Sequence, residues 1–146
     1  MDSLQAAVSL RRGLVLIADG FDEHVAVCCL RLLRDAGIAV ALVGLPVGLV
    51  TGNRGIAVSP DLSLDDVAPG GAADLVVIPG GRRSAGALLT DPRVHHLVEG
   101  AVAGGGTVAV FGTAAEEAER LLRVPCVCQG NLTVGDFVSW LLRDVN

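Results

Sequence analysis

The chain has 146 residues, 51% of them apolar and 18% charged, which fits one domain with a continuous core and excludes a disordered segment. A net charge of −5 argues against non-specific nucleic-acid binding, and no apolar run is long enough to span a bilayer. All 11 basic residues are Arg and Tyr is absent, which removes a Schiff-base lysine, a phosphate-loop lysine and a catalytic tyrosine together. The N-terminal apolar stretch stops at Asp19 without a cleavage-site pattern, so no signal sequence is expected and the protein is expected to be cytoplasmic.

In chain order, the continuous apolar run Gly13–Ala18 predicts a strand covered on both faces, hence one in a parallel sheet. Asp19-Gly20 turns the chain into a helix over 22–36, with Val25, Cys28, Cys29, Leu32 and Ala36 on one stripe. Ala26, Val27, Leu30 and Leu33 carry apolar surface most of the way round that helix, which points to a subunit contact, and Gly37 ends it. Ile38–Val43 is the second strand. Two short β-like pieces flank Thr51-Gly-Asn-Arg-Gly55, a hairpin sequence, and 60–69 reads as irregular with one helical turn. Leu75–Ile78 is the third strand and runs into Pro79-Gly80-Gly81, followed by a short helix over Ser84–Leu89. Asp91-Pro92 caps and opens a helix reaching Ala103.

Thr107–Phe111 is a β-branched, buried strand. Gly112 makes a corner, and Thr113-Ala-Ala-Glu116 matches the capping box of a helix that continues to Leu122. Such a strand–turn–helix unit is where α/β proteins hold a nucleophile or an anion. Here the corner residue has no side chain. Pro125–Cys128 is the last short strand, and Thr133 caps a final helix with Val134, Phe137, Val138, Leu141 and Leu142 inward. The alternation predicts a doubly wound parallel α/β sheet of about five strands, a flavodoxin-like three-layer sandwich. Ligands of such sheets sit beyond the carboxyl ends of the strands, here Asp19–Glu23, Gly80–Arg83, Gly112–Thr113 and Gln129–Asn131.

The ordered set A-D-G-F-D-E at 18–23, G-N-R-G-I-A-V-S-P-D at 52–61, D-L-V-V-I-P-G-G at 74–81 and D-P-R-V at 91–94 resembles the ThiJ/PfpI superfamily. That group contains the Parkinsonism-associated deglycase and the intracellular protease-like proteins, within the class I glutamine amidotransferase-like fold. The resemblance covers Leu14 to about Leu122, and the last strand and helix look like the family's C-terminal pair. It implies a single domain over 1–146, shortened between the corner helix and the last strand.

The family's chemistry uses a Cys at the corner, in a pattern like A-A-I-C-x-G-P. In register, Gly112 stands at that Cys, Thr113 follows it, and the family's helper Glu falls at Val25, with Asp22 and Glu23 nearby. A hydrogen atom does not replace a thiolate. What the resemblance does carry over is backbone: N–H groups at Gly81 and at Gly112 or Thr113 for an oxyanion. Helix polarity from Thr113 and the charges of Arg82 and Arg83 would support it.

The remaining reactive residues have blander explanations. Cys28 and Cys29 fall on a core stripe, and Cys126 and Cys128 share a strand face with Cα atoms about 6.6 Å apart. That spacing is at the upper limit for a disulfide and is not that of a zinc knuckle, so no metal site and no cofactor are expected. Cys128 ends a strand at the ligand rim, where a relocated nucleophile would sit. His95 and His96 read as exposed helix surface. His24 beside Glu23 offers an acid and an imidazole suited to proton transfer.

The favoured reading is a non-catalytic domain that binds a small anionic molecule or a partner protein through Gly80, Gly81, Arg82, Gly112 and Thr113. It would dimerise through helix 22–36, with neither nucleic acid nor membrane as partner. The alternative is an enzyme acting on small carbonyl compounds through Glu23, His24 or Cys128.

Overall fold

A computed structural model describes residues 12–67, 73–112 and 114–145. Thr113, Pro69 and residues 1–11, where the segment weighed as a signal sequence begins, lie outside the described residues. Six strands form one parallel sheet in the order β5-β2-β1-β6-β7-β8. They are β1 (Arg12–Ile17), β2 (Ala39–Gly44), β5 (Leu62–Ser63), β6 (Leu75–Ile78), β7 (Thr107–Val110) and β8 (Val127–Cys128). A separate antiparallel pair, β3 (Val50–Thr51) and β4 (Ala57–Val58), is the hairpin expected around Gly52–Gly55.

The helices are α1 (Glu23–Asp35), α2 (Arg82–Leu89), α3 (Pro92–Ala103), α4 (Ala114–Leu121) and α5 (Val134–Trp140); the last continues as π-helical turns through Leu141–Val145. Alternate residues of β1, with Ala18 just after it, explain the three layers. Leu14, Leu16 and Ala18 enter a core with α2, α3 and α4, whereas Val15 and Ile17 enter a second core with α1 and α5. Side chains alternate across a strand, so a run apolar at every position is buried from both sides. The same holds for Leu75–Ile78, all four buried.

The elements that aim the rim are set by local chemistry. The Asp22 side chain caps α1 by accepting from Val25 N–H (3.1 Å). Asp91 caps α3 (2.8 Å from Arg93 N–H) with Pro92 at its first turn, and Thr133 caps α5 (3.1 Å from Asp136 N–H). Phe111, at the end of β7, packs edge-on against Phe137 of α5 at 4.9 Å, which fixes the corner that follows.

Three details depart from the sequence expectations. The sheet gains β5, a two-residue edge strand beside β2, too short to leave a pattern. The buried line of α1 is Val25, Ala26, Cys29 and Leu33, rotated from the expected stripe: Cys28 is half-buried and Ala36 exposed. A helix apolar nearly all round does not reveal its inward face by composition. α2 begins at Arg82, because the fully buried Ser84 accepts from the Ala18 N–H at 3.1 Å and ties the helix to β1.

Candidate functional site

The carboxyl ends of β1, β6, β7 and β8 bring together the loops after Ile17, Ile78, Val110 and Cys128. Two of these loops touch through backbone. The Asp22 N–H donates to the Gly80 carbonyl (3.0 Å), and a Cβ on Gly81 would collide with the Gly20 carbonyl oxygen. Gly81 also has φ +106°, so this position admits glycine on conformation and on space. The β3–β4 hairpin closes over the first loop: Gly20 N–H donates to Thr51 O (2.8 Å), Thr51 N–H to Asp19 Oδ1 (3.0 Å) and Asn53 N–H to Phe21 O (2.9 Å).

Glu23 belongs to this seal. It is 4% exposed, and its Oε2 accepts from the backbone N–H groups of Arg54 (2.9 Å) and Ile56 (3.1 Å). Gly52 lies so close that a Cβ there would overlap the carboxyl group. Burial works to raise the Glu23 pKa. The N–H groups of Glu23, Ile56 and Arg54, with the Arg54 guanidinium, outweigh it and hold the carboxyl below its ordinary value. A carboxylate so held is a clamp on the hairpin turn; its Oε1 is buried without a protein partner.

Gly112 is the opposite kind of place. It is exposed, with φ +59°, and the nearest atom to a Cβ built on it is the Gly80 Cα at 3.8 Å. Its N–H donates to the side-chain Oε1 of Gln129 at 3.1 Å, and Gln129 Nε2 donates to the Leu132 carbonyl at 2.8 Å. The corner N–H is thus satisfied within the chain by that carboxamide. The acid at this end of the rim is Asp22, half-buried. Its Cβ lies 4.0 Å from where a Gly80 Cβ would be, and its Oδ1 lies 3.9 Å from the Arg54 guanidinium.

The candidates named from sequence are thus divided. Gly80, Gly81 and Gly112 converge, and Arg82 stands exposed at the start of α2. Arg83 lays its aliphatic stem over Gly20. Thr113 is outside the described residues. Val25 is core. Glu23 and His24 point apart: the carboxylate lies under the hairpin, while the exposed His24 ring sits 3.8 Å from Cys28 Sγ on the helix surface. Cys128 pairs in register with Val110, and burial, then Glu119 on α4, push its thiol up. Cys126 is pushed up to about 11 and Cys29 to about 12, by burial first in both. His95 is half-buried, its ring nitrogen bonded to the Leu89 carbonyl, not free surface as expected.

The rim segments read from the sequence already hold Asp22 and Gln129, though not the bonds they make. Arg54, in the hairpin turn, was not among the candidates, because the contact between elements that places it leaves no signal in a single chain. Among the described residues no group of three or more His, Cys, Asp or Glu is arranged to hold a metal, and no helix is long and apolar enough to cross a membrane.

The profile of the DJ-1/PfpI family matches residues 11–132. A zebrafish Parkinson disease protein 7 homolog is 36% identical over 93 residues, 61% of this chain and 48% of its own length. A deglycase of Thermococcus kodakarensis is 34% identical over 90 residues, 62% of this chain and 49% of that one. The chain spans about half the length of these curated relatives. The crystal structure of Drosophila melanogaster DJ-1beta superposes with a TM-score of 0.71 at 30% identity, covering 77% of this chain and 60% of that one.

Proposed function

Because the chain belongs to the DJ-1/PfpI family, we propose that it is a non-catalytic member whose carboxyl rim binds a small anionic molecule or a partner protein. One observation carries this: the corner after β7 is Gly112, with open space where a side chain would stand. The four cysteines lie elsewhere, on α1 and on or beside β8. The backbone at Gly81 and Gly112 and the Arg82 guanidinium would hold the ligand, aided by the amino end of α4. Under the same proposal the chain is one domain, shortened between α4 and β8, as the sequence resemblance implies.

The test is ligand binding followed by NMR of the backbone amides, with acetate as probe. Shifts at Gly81, Arg82 and Gly112 that saturate are expected; an unmoved rim overturns the proposal.

A second reading, an enzyme acting on small carbonyl compounds, is favoured by the likeness to a deglycase. The clamped Glu23 carboxylate and the raised Cys128 thiol weigh against it. Turnover of glyoxal or methylglyoxal that is lost in Glu23→Ala, in Cys128→Ser or after thiol alkylation would establish it over the first.

The proposed dimer uses α1, whose outer face keeps Val27 56% exposed and Leu30 half-buried. Leu30→Arg should halve the mass in size-exclusion chromatography with light scattering, and an unchanged mass removes the contact. Leu33 is fully buried, so its replacement would unfold the chain instead of testing the surface.

A further inference from the structure

We infer that the Gly112 corner is a seat for a primary carboxamide, filled in this conformation by the protein's own Gln129. A small-molecule ligand binds there by exchanging places with that side chain. This rests on the ligand-binding reading of the rim and names the group the corner selects, leaving the ligand's anionic part to Arg82.

The seat and a primary carboxamide are complementary. The seat offers one donor, the Gly112 N–H, and one acceptor, the Leu132 carbonyl; Gln129 meets them with Oε1 at 3.1 Å and Nε2 at 2.8 Å. A planar carboxamide presents an acceptor and a donor on one rigid group. A carboxylate matches the Gly112 side only, and turns its second oxygen toward the Leu132 oxygen with no proton between them.

The backbone of residue 129 is held independently of its side chain. Gln129 N–H donates to Val110 O (3.0 Å) and Leu132 N–H to Gln129 O (3.2 Å), while Gly130 at φ +60° closes the turn. The side chain therefore leaves without dismantling the loop. Access is open, since Gly112 is exposed, Gln129 only half-buried, and, chain neighbours aside, the nearest described atom to a Cβ at Gly112 is the Gly80 Cα at 3.8 Å. Each neutral hydrogen bond is weak in net terms, so the internal occupant lowers the affinity of an incoming amide by about tenfold rather than abolishing binding.

The experiment titrates acetamide and acetate separately into the 15N-labelled wild type and into Gln129→Ala and Gln129→Asn, reading the Gly112, Gly81 and Arg82 amides. Gln129→Ala removes the internal amide. Acetamide should then saturate the Gly112 shift at about tenfold lower concentration than in wild type, and below the concentration acetate needs. Gln129→Asn withdraws the amide by one methylene and should give a smaller gain in the same direction, which decides the matter if Gln129→Ala does not fold. Equal saturation in variant and wild type, or acetate binding tighter than acetamide at Gly112, overturns the assignment. Acetate shifts at Gly81 and Arg82 with acetamide leaving Gly112 unmoved in every variant also overturn it but leave the anion-binding rim standing. If neither probe moves any of the three amides in any variant, both proposals fall.

Discussion

Gly81 and Gly112 follow the ends of neighbouring strands β6 and β7, and both have positive φ, +106° and +59°. At Gly81 a Cβ would strike the Gly20 carbonyl, because two loops pass in contact there. At Gly112 a Cβ would meet nothing closer than 3.8 Å. The first glycine is demanded by packing. The second stands in open space at the position where the family resemblance expects a reactive sulfur. Bareness at a strand end therefore has two physical meanings, and the neighbours distinguish them.

The comparison predicts its largest effect at the packed glycine. Gly81→Ala forces a carbon into a backbone oxygen at a φ that L-residues avoid, and should cost about 3 kcal/mol or more. That corresponds to a fall in Tm of roughly 10 °C for a domain of this size. Thermal unfolding by circular dichroism checks it; a Tm unchanged within a degree or two would mean the loops separate easily and the contrast with Gly112 is lost.

The seal above Gly81 tests the same idea one step out. Glu23→Ala strands the N–H groups of Arg54 and Ile56 that its carboxylate now satisfies, and the Tm at pH 7 should drop by several degrees. The pH dependence has a definite sign. The folded pKa of Glu23 lies below its ordinary value of 4.5, so the unfolded chain binds the proton more readily. The stabilisation is thus fully present above about pH 4.5 and is lost as pH falls through the lower folded value. Wild type and Glu23→Ala should therefore converge in stability on acidification below pH 4.5, followed by urea unfolding at stepped pH. Asp91, also held low, first by Arg93, leaves a residual acid sensitivity in both. A gap that stays constant from pH 7 to 3 would deny Glu23 its role as an ionised clamp.

How far the sequence disclosed these features follows from how local they are. The doubly buried strands were visible because Leu14–Ile17 and Leu75–Ile78 are apolar without interruption, and Asp91 and Thr133 announced their helices through caps that need only the next three residues. The two residues of β5 left no trace. The inward face of α1 was ambiguous because Val27, Leu30 and Leu32 compete with Ala26 and Leu33 for it. At the site, the Gly80-Gly81 turn and the bare corner were readable from local motif order. The Glu23 clamp joins residues 31 and 33 positions apart and the Gln129–Gly112 bond joins residues 17 apart. Neither carries a periodicity, since both arise only when the sheet lines up its carboxyl ends.

The smallest effect is expected at Gly112 itself. Placing Ala at φ +59° costs on the order of 1–2 kcal/mol, but the substitution also restricts the unfolded chain by about half that, and the space around it is free. The net loss for Gly112→Ala should stay near 1 kcal/mol or below, a Tm shift of a few degrees, well short of that for Gly81→Ala. Gly112→Cys sharpens the point, because its stability should match that of Gly112→Ala while it adds a thiol in an exposed position at the start of α4. Cys29 and Cys126 are pushed up to about 12 and about 11, chiefly by burial, so they react slowly at neutral pH. Against that background, titration with an aromatic disulfide at pH 7 should show one additional fast-reacting thiol in Gly112→Cys. A new thiol that reacts no faster than those of the wild type would mean the corner is closed to reagents, and the open glycine would then belong with the packed one.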